Sequence, residues 1–150
     1  MRIKKTVSKQ CGRNDLLKSA TIVLIGIIVP WFIILAVKIV GYSEIIEEIS
    51  KALIVLFVLN NFTSLSQRIK NTISFAFFFG LSESLFYLNY ACQLDNMNVF
   101  WPRIALTMPM HIITALVLLF SALKNRKTII LGIIGSSIIH LAFNSSLVLR

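Results

Sequence analysis

The run TIVLIGIIVPWFIILAVKIV, residues 21–40, carries a single charged side chain, Lys38. As a helix rising about 1.5 Å per residue it reaches about 30 Å, the thickness of a bilayer's hydrocarbon. No small-residue cleavage site follows it, so it reads as an uncleaved span and not as a signal peptide. Its Pro30 predicts a kink. The whole chain agrees with that reading. Its 150 residues are 57% hydrophobic and 14% charged, too apolar for a water-soluble domain of this size. The expected fold is an all-α, polytopic transmembrane helix bundle of about five spans, with the N-terminus in the cytoplasm.

Upstream, residues 1–19 hold Arg2, Lys4, Lys5, Lys9, Arg13 and Lys18 against Asp15. This is expected to be a basic cytoplasmic segment in contact with anionic lipid, followed by a transmembrane domain over 20–150. A net charge of +9 would suggest nucleic acid in a soluble protein. Here the basic residues fall between apolar runs, which reads as topology, and no nucleic-acid partner is expected.

Downstream, 43–61 reads as a second helix with Ser43 as N-cap and a solid apolar run only over 52–59. A polar turn over 60–70 with Arg68 and Lys70 precedes a Phe-rich third span, 71–90, interrupted by Gly80 and Glu83. The connection 91–99 holds Asp95 and no basic residue; it leads to an aromatic anchor, Phe100-Trp101, and to Pro102 as a helix N1 residue. The fourth span ends near 122, a tight basic turn occupies 124–127, and the fifth span covers 128–149. Five crossings place eleven basic residues inside and four outside, namely Lys38, Lys51, Arg103 and Arg150. Cys11 and Cys92 then lie on opposite faces, and no disulfide between them is expected.

Half of the six acidic residues sit at the start of the second helix, as Glu44, Glu47 and Glu48, with Lys51 at i+4 and i+3 from the last two. A solvated helix start explains them all in the simplest reading. Three other ionisable groups lie well inside spans: Glu83, His111 and His140. Each costs roughly 2.5–3.5 kcal/mol on insertion scales, which makes each a functional hypothesis. Counted from their helix ends they fall in the outer half of the bilayer, as do Asn144, Glu47 and Glu48.

Their faces agree. Phe75, Phe79, Glu83 and Tyr87 follow at i+4, as do Gly132, Ser136, His140 and Asn144, while Arg103, Thr107, His111 and Thr114 or Ala115 form a third stripe. Lipid or core packing accounts for the Phe stripe, and close helix packing for the small residues; either is compatible with a site. One glutamate and two imidazoles, Glu83, His111 and His140, match the ligand set of a hydrolytic zinc site with one position left for water. A second carboxylate, Glu47 or Glu48, can take that water's proton, and Asn144 can donate to a developing oxyanion.

At these residues the chain resembles the PrsW branch of the CAAX-protease, bacteriocin-processing (CPBP) and PrsW superfamily of intramembrane proteases. The matching motifs are EExxK at Glu47-Glu48-Ile49-Ser50-Lys51, FxxxE at Phe79-Gly80-Leu81-Ser82-Glu83 with Tyr87 following, His111 preceded by Arg103, and HxxxN at His140-Leu141-Ala142-Phe143-Asn144. The CAAX branch is similar but carries a histidine in place of Glu83 and an arginine in place of Lys51, so prenyl-protein processing is less favoured.

The resemblance implies an intramembrane endopeptidase of a bacterial or archaeal plasma membrane, acting on membrane-embedded proteins or lipid-anchored peptides. It leaves open zinc or a glutamate-activated water without metal. Two other classes remain: a non-catalytic immunity or assembly factor with the same fold, and a small proton or metal-ion carrier, since intramembrane Glu and His also build relays.

Overall fold

The structure is a computed structural model that describes the backbone of residues 2–148 apart from 94, 96 and 99, and side chains within 14–146 apart from those three and 90. The side chains of Arg2, Lys4, Lys5, Lys9, Cys11 and Arg13, and the whole of Arg150, lie outside the described residues.

Every regular element among the described residues is helical: α1 (Arg2–Val40), α2 (Ser43–Asn61), α3 (Leu65–Gln93), α4 (Phe100–Lys124), a 3₁₀ turn at Arg126–Thr128, and α5 (Ile129–Val148). Three helical stretches, Asn14–Val40, Phe100–Lys124 and Arg126–Ser146, are long and apolar enough to cross a membrane. This marks the chain as a membrane protein. Helices α2 and α3 fall short of that measure because Glu44, Glu47, Glu48 and Lys51 interrupt the first, and Asn71, Glu83 and several serines the second. Most of these polar residues turn inward, where Glu47, Glu48, Lys51, Asn71, Ser82 and Ser84 are buried.

Helices α3 and α4 run on to Gln93 and Lys124, past the expected ends near 90 and 122, and four further boundaries differ from the sequence expectation, each for a local reason. The basic segment and the first span are one continuous 39-residue helix, about 58 Å long and so far longer than the hydrocarbon is thick. The expected polar turn over 60–70 shrinks to 62–64, because α3 already begins at Leu65. Arg68 sits on the first turns of α3 and reaches back, Nε to Phe62 O at 2.6 Å and Nη2 to Leu59 O at 3.2 Å, closing the free carbonyl end of α2. Pro102 is the third residue of α4 and not the first, a position where its missing N–H still costs nothing.

The fourth difference lies at the entry to α2. Ser43 is its first residue, not its cap; the cap is Tyr42, at φ 53°, and it makes no side-chain cap bond. Gly41 before it is also left-handed at φ 72°, so the chain reverses sharply between α1 and α2.

Helix α2 stands between two apolar clusters. On one side Val58 packs with Ile22 and Ile33 of α1 and Phe75 and Phe79 of α3. On the other, Ala52 and Val55 pack with Leu118, Leu119 and Ala122 of α4 and Ile129 of α5. It touches all four other helices. Since lipid tails are as apolar as these side chains, close packing holds such a bundle together, and small residues permit it. A Cβ on Gly26 would lie 2.8 Å from Phe75 O, and one on Gly132 2.9 Å from Ser121 Cβ, so α1 meets α3 and α5 meets α4 nearly backbone to backbone at these two positions. Thus the most acidic helix is also the central one.

Candidate functional site

Because α2 is central, its inward turn projects Glu47, Glu48 and Lys51 among three other helices. Glu48 is fully buried, and its Oε1 accepts from Lys51 Nζ at 2.6 Å and lies 3.1 Å from His140 Nδ1. Lys51 Nζ also donates to Thr114 Oγ1 at 3.1 Å, and the Thr114 hydroxyl donates to His111 O at 3.2 Å. One chain of polar contacts therefore ties α2 to α4 and α5. With the His140 proton on Nδ1 toward Glu48, Nε2 keeps its lone pair, 3.8 Å from Glu47 Oε2.

His111 and Glu83 form the other half. His111 Nε2 lies 2.5 Å from Glu83 Oε2, a close imidazole–carboxylate contact between α4 and α3. Glu83 Oε1 accepts from the Tyr87 hydroxyl at 3.2 Å, and Arg103 lies over the Tyr87 ring at 3.6 Å from its centroid. The His111 and His140 rings meet edge to face with centroids 5.5 Å apart, and Phe79 packs 5.2 Å from the His111 ring. Gly80 makes this placement feasible: a Cβ there would come within 2.9 Å of His111 Cδ2.

Glu47 Oε2 is buried without a hydrogen-bond partner among the described residues and lies 3.8 Å from His140 Nε2, while Glu83 Oε2 and His111 Nε2 face each other at 2.5 Å. One ligand atom from each of Glu47, Glu83 and His111 lies within 4.8 Å of the other two. A buried orphan oxygen such as Glu47 Oε2 is costly unless something occupies the space beside it. The donor set of two carboxylates and an imidazole therefore fits a divalent cation or a tightly held water. A cavity of about 280 Å³ opens beside it, lined by Glu47, Glu83 and Asn144 together with apolar residues such as Ile34, Val37 and Phe86.

The six residues singled out from the sequence are thus distributed as follows. Glu47, Glu83 and His111 form the compact trio, and His140 adjoins it through Glu47 while holding Glu48 on its other nitrogen. Asn144 lines the cavity, but its Nδ2 donates to Glu44 Oε1 at 3.0 Å. Glu44 is therefore no mere solvated start; it also accepts from the Ser43 hydroxyl at 3.0 Å. That pairing joins residues a hundred positions apart and leaves no mark in sequence spacing. The Phe stripe resolves to core, since Phe75 and Phe79 are fully buried. Gly80 and Thr114 were visible only as a break and as a stripe member, and the structure gives them contacts with the site. The surroundings of Gly80 and the length of the Lys51 side chain carry that information.

A scan against protein-family models finds no match, and comparisons with curated proteins and with solved structures find none either.

Proposed function

We propose that the chain is an intramembrane endopeptidase that hydrolyses peptide bonds of membrane-embedded or lipid-anchored polypeptides. The observation that carries the reading is the convergence of two carboxylates and an imidazole, from Glu47, Glu83 and His111, with both carboxylates lining a largely apolar cavity. Two buried carboxylates set against an imidazole beside a cavity suit a water or an ion and a substrate.

Glu83 and His111, with His140 beside them, would hold a divalent cation such as zinc, and Glu47 would face it. When bound, that ion supplies Lewis-acid polarisation of a carbonyl and a water acidic enough to attack it. The remaining work falls to the protein's own groups. Glu47, which reaches the cavity, exchanges a proton with the water and delivers it to the leaving amine. Glu48, already engaged by Lys51, orients His140 through Nδ1 and is read as a positioning residue. Asn144 donates to the oxyanion once it leaves Glu44. The apolar walls exclude bulk water from the reacting bond.

The test needs no prior substrate. Membrane proteomes of cells expressing the native chain, Glu47→Ala or Glu83→Ala are compared for new peptide N-termini. Termini within or beside spans that appear only with the native chain, at equal protein levels, support hydrolysis. Identical termini in all three refute it. A carrier shares the same cluster, and metal or proton flux into proteoliposomes at unchanged termini identifies that function instead.

A further inference from the structure

At the opposite end of the bundle from the glutamates, a second cavity of about 290 Å³ is lined by Leu59, Arg68, Ala122, Leu123, Asn125 and Arg126. Two guanidinium groups from different elements border it, and no carboxylate does. Of the chain's six acids only Asp15 lies toward this end, and Gln67 donates to it at 3.2 Å. Lys18, Lys70, Lys124 and Lys127 stand near the same helix ends, so the local charge is strongly positive.

Closing the end of α2 accounts for part of this. Arg68 commits Nε and Nη2 to the carbonyls of Phe62 and Leu59. It does not account for Arg126, whose Nη2 donates to the side chain of Asn60 at 2.8 Å and whose other N–H groups have no protein partner among the described residues. Two guanidiniums lining one cavity without a counter-charge repel, and the carboxy ends of α2 and α4 offer only partial negative charge. An anion between them removes that repulsion. The planar N–H fork of arginine matches a phosphate's oxygens better than any other side chain does. Leu59, Ala122 and Leu123 give the cavity an apolar floor next to this charged rim.

We propose that Arg68 and Arg126 form a binding site for a phosphate ester or phosphate ion at the basic end of the bundle. The site is independent of the glutamate–histidine cluster and of what that cluster does.

Isothermal titration of the full-length protein in neutral detergent tests it, with dihexanoyl phosphatidylglycerol, dihexanoyl phosphatidylcholine and inorganic phosphate as separate titrants. The expected result is saturable binding of the anionic lipid, with little binding of the zwitterionic one. Arg126→Gln weakens it about tenfold, as loss of a charge-assisted pair should. Lys127→Gln removes the same charge from the same turn without touching the cavity, and leaves binding nearly intact. Arg126 is exposed, so its variant keeps its helical spectrum; Arg126→Lys, which keeps the charge and loses the fork, falls between. If inorganic phosphate binds with the same dependence on Arg126 the occupant is the free ion, and if it does not the occupant is a lipid headgroup. No saturable binding of either, or equal losses in Arg126→Gln and Lys127→Gln, overturns the site in favour of diffuse surface charge.

Discussion

Lys51 is fully buried, its ammonium 2.6 Å from Glu48 Oε1, 3.1 Å from Thr114 Oγ1 and 5.3 Å from the centre of the Phe79 ring. Taking two charges out of water gains little net stability, but stranding one of them is expensive, about 3–5 kcal/mol. Lys51→Met should therefore destabilise the protein by about 3–5 kcal/mol in thermal unfolding followed by circular dichroism in detergent. The double variant Lys51→Met/Glu48→Gln should recover most of that loss, because no charge is left uncompensated. A double variant as unstable as the single one would show that the lysine acts through packing of its long stem. The same reasoning separates the two neighbouring glutamates. Glu48 has its Oε1 engaged by Lys51 and His140 and faces away from the cavity, whereas Glu47 lines the cavity and makes no hydrogen bond through its Oε2.

At the scale of elements, the site depends on how closely α3 approaches α4, and Gly80 sets that approach. Alanine there gains about 1 kcal/mol of helix propensity over glycine. Its Cβ would also meet His111 Cδ2 at 2.9 Å and Met108 Cα at 3.5 Å. The second distance is ordinary contact and the first is not, so the imidazole must move while the helices need not. Gly80→Ala should thus leave the melting temperature unchanged or slightly raised and, under the hydrolytic function proposed above, should cut the appearance of new peptide N-termini at least tenfold through misplacement of His111. Full activity in this variant would mean that the ring's position is not critical. Gly26→Ala presents the opposite case, because its Cβ would lie 2.8 Å from the backbone oxygen of Phe75, which cannot swing aside. It should separate α1 from α3 and lower stability by about 1–3 kcal/mol, measured by the same melt.

Across the whole molecule, charge is sorted by end. The glutamates gather toward one end of the bundle, while Arg68, Lys70, Lys124, Arg126 and Lys127 gather at the other. Five crossings would place the second group in the cytoplasm and Cys92 outside. Cys92 is an exposed free thiol. In a Cys11→Ala background, a membrane-impermeant maleimide added to intact cells should label it without lysis. Labelling that requires lysis would mean that the more polar helices α2 and α3 do not both cross as assumed, and the assignment of inner and outer ends would have to be redrawn.

The helical class, the membrane setting and the residues that deserve scrutiny were all legible in the sequence, because each rests on local quantities. These are apolar run length against bilayer thickness, the insertion cost of Glu83, His111 and His140, and the i+4 stripes. Boundaries were less legible where a side chain from one helix completes another, as Arg68 does for α2, or where left-handed Gly41 and Tyr42 carry the reversal. Only the tertiary structure decided which polar groups are satisfied and which are left open. Glu48 and Glu47 are adjacent and chemically identical, and spacing cannot distinguish them. The rotation of α2 and the packing of α5 against it give one of them a lysine and a histidine, and leave the other's carboxylate beside the carboxylate of Glu83 and the imidazole of His111. Likewise Asn144 and Glu44 pair across a hundred residues. Such pairings depend on helix rotation and interaxial distance, set by contacts such as Gly26 on Phe75 and Gly80 on His111, and a linear periodicity does not encode them.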